Sequence, residues 1–145
     1  MDGFERQVRA TVIRALRDTG VAPDAAAIGG ILGVPASRVS AALRKLADEH
    51  RLVLVPGTDR VMMAHPFSGI ATDFLVTIGE GTWFANCVWD GLSILALLGD
   101  GTLDTHSPAT GEAITLTAHE GAVEEDAVVH FLVPARYFWD DIVFT

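Results

Sequence analysis

The 145-residue sequence has little cysteine, no long apolar run and, in its second half, almost no positive charge. Its single cysteine, Cys87, excludes an internal disulfide framework, and one thiol in a chain of this size suits a reducing cytoplasm. The most apolar segment, residues 83–98, is too short to span a bilayer and contains Asn86 and Asp90. The N-terminal segment is charged, so no secretory signal is visible. We therefore expect a soluble, cytoplasmic protein with no membrane partner.

Charge is divided unevenly along the chain. Residues 1–60 hold nine arginines and lysines against seven acids, a balance of +2. Residues 61–145 hold one base, Arg136, against twelve acids, a balance of −11. We expect two functional units, of which the second repels nucleic acid and anionic membranes and is compatible with a cationic or neutral ligand.

The first part of the chain predicts three helices and a hairpin. Apolar residues recur at helical spacing through residues 4–19, and Asp24 is positioned to cap a short helix that ends at Leu32. A turn with Ser37 as candidate N-cap precedes a third helix, and "RLVLVPGTDRVMMAH" predicts two strands around a Pro-Gly turn. This order is typical of a winged helix-turn-helix-like domain, which we place at residues 1–65.

The second part, residues 66–145, predicts a small mixed α/β lobe. "PFSG" is interpreted as the connector and residues 83–98 as a helix. Strands are predicted in "IATDFLVTI", Thr102–Thr105, Ala113–Thr117 and Val128–Val133. The chain closes on a β-favouring apolar run, so we expect an incomplete C-terminal strand. The fold class is α+β, with the helix-turn-helix-like lobe packed on a lobe whose buried helix carries the site.

The predicted helix over residues 83–98 is apolar on nearly every face, which is typical of a buried helix. Its polar exceptions, Asn86, Asp90 and Ser93, fall at spacings of four and three on one stripe. Cys87 borders that stripe three residues before Asp90, so the two side chains should be neighbours. A carboxyl group in apolar surroundings favours its protonated form, which can donate a proton.

A thiol beside a carboxyl group suits cleavage of a bond between carbon and a soft metal. Thiolate selects soft metals, while a protonated acid can deliver a proton to the leaving carbon. Simpler interpretations stay open at this point. Cys87 could pack as a small apolar residue, and Asp90 could cap a neighbouring backbone segment or bond Asn86 or Ser93.

The order of these parts resembles the organomercurial (alkylmercury) lyases. "FANCVWDGLSILALLG" is similar to the family's aromatic-Cys-x-x-Asp segment, and "SPATGEAITLT" is similar to its short turn before a strand. "VVHFLVPARYFWDDIVFT" follows in the family's order. The similarity covers nearly the whole chain and is most specific over residues 83–117.

The resemblance implies a role for each site residue. Cys87 matches the cysteine that attacks and holds mercury, and Asp90 matches the acid that takes part in proton delivery. The family's second catalytic cysteine would be expected just after Thr145, and Ser107 stands where the family has a further, non-catalytic cysteine. The resemblance thus implies protonolysis of carbon–mercury bonds, impaired by the missing sulfur, with no cofactor. A mercuric reductase would act downstream.

Four further side chains are predicted to line the pocket: Trp83, Asn86, His106 and Ser107. No histidines pair at zinc-site spacing. Arg38, Arg44 and Lys45 on the third helix are available to bind phosphate, but DNA is not the expected partner. Two alternatives remain: a winged-helix regulator that senses a thiophilic ligand, or a family member repurposed for another substrate.

Overall fold

Four α-helices and two antiparallel sheets make up residues 1–144, the part of the chain that the computed structural model describes. The helices are Gly3–Thr19 (α1), Ala25–Leu32 (α2), Ala36–Asp48 (α3) and Val88–Leu98 (α4), with a 3-10 helix at Ala135–Asp140. The strands are Val53–Leu54 (β1), Val61–Ala64 (β2), Phe67–Ser68 (β3), Leu75–Ile78 (β4), Gly81–Phe84 (β5), Gly101–His106 (β6), Ala113–His119 (β7) and Ala122–Val123 (β8).

The first three helices lie where the sequence predicts them because their end signals are strong. Asp2 accepts a hydrogen bond from the backbone N–H of Glu5, and Gly20 ends α1 in the left-handed conformation at φ 69°. Asp24 caps α2 by accepting from the N–H of Ala27 at 2.7 Å. Ser37 does not cap α3: Pro35 holds the N-cap position and makes no side-chain cap bond.

Helices α2 and α3 are joined by a three-residue turn, residues 33–35, and bend by 112° at this break. That geometry is typical of helix-turn-helix units. The predicted hairpin is present as β1 and β2, and β3 adds a third strand to its sheet through Met63–Ser68 pairing. The sheet therefore continues past residue 66, and the division into two units at that point stays a prediction.

The second sheet has the order β5-β4-β6-β7-β8, with every neighbouring pair antiparallel. Helix α4 packs on this sheet through its buried residues Ile94 and Leu95. Gly91 provides the close approach, because a Cβ built there would lie 2.6 Å from Cδ2 of the fully buried Leu103. The strands predicted around Thr102–Thr105 and Ala113–Thr117 are confirmed as parts of β6 and β7.

The predicted helix over residues 83–98 begins too early. Trp83 and Phe84 belong to β5, where they pair with Val76 and Leu75, and α4 starts only at Val88. The helix is also buried on one side only, since Trp89 is 55% and Leu97 66% exposed. An apolar run gives the same signal in a strand and in a half-buried helix.

The predicted strand Val128–Val133 is wrong, because these residues follow no regular structure. Residues 142–144 form turns, and the predicted incomplete C-terminal strand otherwise lies outside the described residues at Thr145. Residues 124–134 therefore form no helix or strand, and the 3-10 helix Ala135–Asp140 is the regular element that follows β8 in the described chain.

One apolar core joins the helices to both sheets. Its fully buried members are Val8, Val12, Leu16, Ile28, Val39, Leu43, Leu46, Ala64, Val76, Ala85, Ile94 and Leu103. In the described residues, no single helix is long and apolar enough to cross a membrane. Helices α2 and α3 reach the required length and apolar composition only when taken together, and they are bent by 112° at the break between them.

Candidate active site

The chain leading into α4 is held by both sheets. The N–H of Ala85 donates to the carbonyl of Phe74 at 2.9 Å, and the hydroxyl of Thr72 donates to the carbonyl of Ala85 at 2.6 Å. Ala85 also forms an antiparallel bridge with Phe67, the first residue of β3. These contacts fix the backbone immediately before Asn86 and Cys87.

Cys87 is the N-cap residue of α4 and is half-buried. Its backbone is extended, at φ −155° and ψ 177°, and its carbonyl accepts from the N–H of Gly91 at 3.0 Å. Burial raises the pKa of the Cys87 thiol above its ordinary value, and the charge of Asp90 raises it further. The backbone N–H groups of Asp90 and Trp89 oppose this increase. The thiol is therefore held chiefly in its neutral form near pH 7.

Asp90 lies in the first turn of α4 with its side chain only 10% exposed. Both carboxyl oxygens have a partner. Oδ1 lies 2.6 Å from Nδ1 of His65, and Oδ2 accepts a hydrogen bond from Nδ2 of Asn86 at 2.7 Å. The two contacts fix the orientation of the carboxyl group, which is a condition for directed proton transfer.

Asn86 connects Asp90 to the first sheet. Its Nδ2 lies 3.3 Å from the carbonyl oxygens of both Pro66 and Phe67, in addition to its bond to Asp90. Its Oδ1 is buried and has no hydrogen-bond partner among the described residues. The three acceptors around Nδ2 determine which way the amide points.

Asn86, Cys87 and Asp90 face a cavity of about 1110 Å³. Its lining comes from residues 50–65 with Arg9 of α1, from Phe74 just before β4, from residues 86–90 at the start of α4, and from residues 131–144. Aromatic contacts close one wall, with Phe131 lying 6.3 Å from Trp89 and 5.5 Å from Phe138 between ring centroids. Most of the wall is apolar, and the cavity is open to solvent on one side.

Three of the predicted pocket residues do not line this cavity. Trp83 faces α1, where its Nε1 donates to the carbonyl of Arg17 at 3.0 Å. His106 ends β6 opposite Ala113, and Ser107 caps the following turn by accepting from the N–H of Thr110. The turn "SPATGE" therefore closes a hairpin away from the thiol. Asn86 is the predicted pocket residue that does line the cavity.

His65 is the site residue that sequence reasoning missed. It lies 25 positions before Asp90 and follows the last residue of β2. Its contact with Asp90 depends on the turn from β2 into β3, which no local pattern around His65 indicates. Among the described residues, no group of three or more His, Cys, Asp or Glu side chains is arranged to hold a metal ion.

A model of the alkylmercury lyase family, MerB, matches residues 67–145, more than half of the chain. The chain therefore belongs to the alkylmercury lyase family. The mercury-bound form of MerB2 is similar in structure, with a TM-score of 0.68 and 23% sequence identity. That likeness covers 86% of this chain and 60% of MerB2, so the chain spans about three fifths of its length. A search of the curated proteins found no match.

Proposed function

We propose that this protein is an organomercurial lyase-like enzyme in which the Cys87 thiolate captures mercury and the Asp90 carboxyl group protonates the carbon. The observation that carries this proposal is that Cys87 and Asp90 face one largely apolar cavity, with both Asp90 oxygens held by neighbours. Membership of the alkylmercury lyase family and the likeness to the mercury-bound MerB2 support the choice of substrate. The acidic charge of residues 61–145 favours a neutral or cationic mercurial.

Mercury capture begins with the neutral thiol. The substrate, an organic group bound to mercury with a thiolate leaving ligand, enters the cavity. The Cys87 thiol loses its proton as sulfur binds mercury, because thiolate is the form that ligates metals. The thiolate leaving ligand departs and takes up a proton. The raised pKa of Cys87 makes this deprotonation dependent on mercury binding.

Cleavage then transfers one proton. The O–H bond of the Asp90 carboxyl group breaks, and its proton goes to the carbon bound to mercury. The electron pair of the carbon–mercury bond forms the new C–H bond, so the hydrocarbon leaves and mercury stays on Cys87 as a cation. Asp90 is left as a carboxylate. The apolar wall around the cavity strengthens the interaction of this carboxylate with the mercury cation.

Cleavage and mercury release both need a second sulfur ligand on mercury. Two-coordinate thiolate binding favours loss of the organic group, and Cys87 is the only cysteine in these 145 residues. We propose that, for a protein of these 145 residues alone, a free small-molecule thiol supplies the second sulfur and a further thiol then removes mercury as a dithiolate. Cleavage without added thiol should accordingly be impaired.

The helix-turn-helix-like lobe serves this enzyme as a structural part. Two of the cations on α3 are engaged by α1: the Arg38 guanidinium lies 4.2 Å over the ring of Phe4, and Lys45 pairs with Glu5. DNA binding would need such cations free to reach phosphates. The contribution of this lobe to the cavity wall, through residues 50–65, supports the same conclusion.

The test compares Cys87→Ser and Asp90→Asn in binding and in cleavage of phenylmercury with excess free thiol. Cys87→Ser should lose tight mercury binding, whereas Asp90→Asn should bind phenylmercury and release at least about 100-fold less benzene. Ser93→Ala is the matched control, because its hydroxyl donates to the carbonyl of Trp89 in α4 and does not face the cavity. Mercury bound by the wild type no more tightly than by a free thiol would contradict the proposal.

A further inference from the structure

The pair formed by His65 and Asp90 connects a buried acid to solvent. Nδ1 of His65 lies 2.6 Å from Oδ1 of Asp90, and the Asp90 side chain is only 10% exposed. The His65 side chain is 67% exposed. The imidazole ring therefore reaches from the carboxyl group in the cavity to bulk water.

The other partner of Asp90 cannot supply a proton. Oδ2 is bonded to Nδ2 of Asn86, and a side-chain amide does not titrate near neutral pH. Imidazole, in contrast, changes its charge between pH 5 and 8 and has two nitrogens that can carry a proton in turn. Of the two contacts that Asp90 makes, only the one with His65 offers a path for proton exchange.

Four other charged or titratable groups line the cavity, and none of them forms an ion pair or a hydrogen bond with the Asp90 carboxyl group in the described part of the chain. They are Arg9, His50, Arg51 and Cys87. Nε of Arg9 donates to the backbone carbonyl of Arg51, and arginine stays protonated throughout the working range of pH. The ring of His50 stacks on Trp139 with 4.2 Å between centroids. Cys87 is engaged by mercury during the cleavage step.

We infer that His65 is a positioning residue that returns a proton to Asp90 after each cleavage; this rests on the proposed function. Once Asp90 has given its proton to carbon, the Nδ1–H bond of protonated His65 breaks and the proton moves to Oδ1 of Asp90. The neutral imidazole then regains a proton from water or buffer. Each turnover thus carries one proton from solvent to carbon through His65 and Asp90.

The experiment compares His65→Asn and His65→Ala with the wild type, using phenylmercury and excess free thiol. The asparagine amide can still donate a hydrogen bond to Asp90, but it cannot supply a proton. Both variants should still bind phenylmercury, because Cys87 is unchanged, and both should release benzene more slowly than the wild type. Their kcat should fall about 10- to 100-fold, as is typical when the partner of a site residue is removed.

Two readouts separate proton return from a purely structural role. Added imidazole should raise the kcat of His65→Ala in proportion to its concentration, because it replaces the missing ring. In the wild type, kcat should fall as pH rises and His65 loses its proton, and His65→Asn should lack this fall because an amide does not titrate. The matched control is His119→Ala, which removes an exposed histidine whose Nδ1 lies 2.8 Å from Oδ2 of Asp100, outside the cavity.

The outcomes distinguish the inference from the function on which it rests. If the wild type releases no benzene, the proposed function is wrong and the inference falls with it. If the wild type is active and both His65 variants behave like His119→Ala, only the inference is wrong. Full activity of His65→Asn beside an impaired His65→Ala would also overturn it, since a hydrogen bond alone would then suffice.

Discussion

Nδ2 of Asn86 donates to Oδ2 of Asp90 at 2.7 Å and lies 3.3 Å from the carbonyl oxygens of Pro66 and Phe67. One amide nitrogen therefore joins the acid of α4 to the backbone that leads into β3. The carboxyl group of Asp90 is therefore oriented by two residues outside its own helix, Asn86 and His65.

Replacing Asn86 by alanine should impair both the site and the fold. Loss of the three contacts should lower kcat for phenylmercury cleavage about tenfold and the free energy of unfolding by about 1–3 kcal/mol. Mercury capture by Cys87 should persist, because the thiol stays at the N-cap of α4. Steady-state kinetics and urea unfolding measure the two effects. An Asn86→Ala variant with wild-type kcat would show that Asp90 needs no such support.

The reactivity of Cys87 should report its burial and its neighbour. Because burial and the charge of Asp90 raise the pKa of the thiol, less thiolate is present at pH 7 than for a free cysteine. Alkylation by iodoacetamide should therefore be slower than for free cysteine and should keep accelerating at pH values where free cysteine has levelled off.

Asp90→Asn should increase the alkylation rate at neutral pH severalfold, because it removes the negative charge beside the thiol. It should at the same time reduce carbon–mercury cleavage. Mass spectrometry of the alkylated protein over a range of pH measures the first effect. A slower reaction in Asp90→Asn would mean that the carboxylate activates the thiol and does not oppose its ionisation.

The packing of α4 on the second sheet depends on Gly91. An alanine there would place its Cβ 2.6 Å from Cδ2 of Leu103, which is fully buried and has little room to move. Gly91→Ala should lower the free energy of unfolding by about 1–3 kcal/mol, as overpacking of a core does. The matched control is Gly30→Ala in α2, where nothing lies within 4 Å of the added Cβ. Gly30→Ala should leave the free energy of unfolding unchanged or raise it by up to about 1 kcal/mol. Thermal unfolding measures both variants, and an equal change in their stability would contradict this account.

The sequence predicts the first three helices well because their signals are local. Asp24 and Gly20 act as a cap and a stop within a few residues of the helices they bound. The start of helix α4 is harder to predict, since Trp83 and Phe84 continue its apolar pattern but pair with β4. Only the distant strand distinguishes the two conformations. Ser37 fails as a cap for a local reason, because Pro35 is already in the extended N-cap conformation and Ser37 lies inside the first turn of α3.

The predictions about the site also succeed where the signal is local and fail where it depends on distant contacts. The proximity of Cys87 and Asp90 follows from short spacing, and their catalytic roles stay a prediction. The bond between Asn86 and Asp90 was among the alternatives that the spacing left open, and it is present. The contact of His65 depends on how β2 turns into β3, which the spacing of residues does not encode. His106 and Ser107 lie close to "SPATGE" in sequence, but their hairpin projects away from the cavity.

The most direct test of the central claim, that Cys87 holds mercury while Asp90 protonates carbon, is intact-mass analysis of the protein loaded with one equivalent of phenylmercury. After addition of excess thiol, the wild type should lose the phenylmercury adduct as benzene and inorganic mercury appear together. Asp90→Asn should keep the phenylmercury adduct until thiol removes it whole, and Cys87→Ser should form no adduct. Release of benzene by Asp90→Asn at the wild-type rate, or an unchanged adduct on Cys87→Ser, would contradict the account.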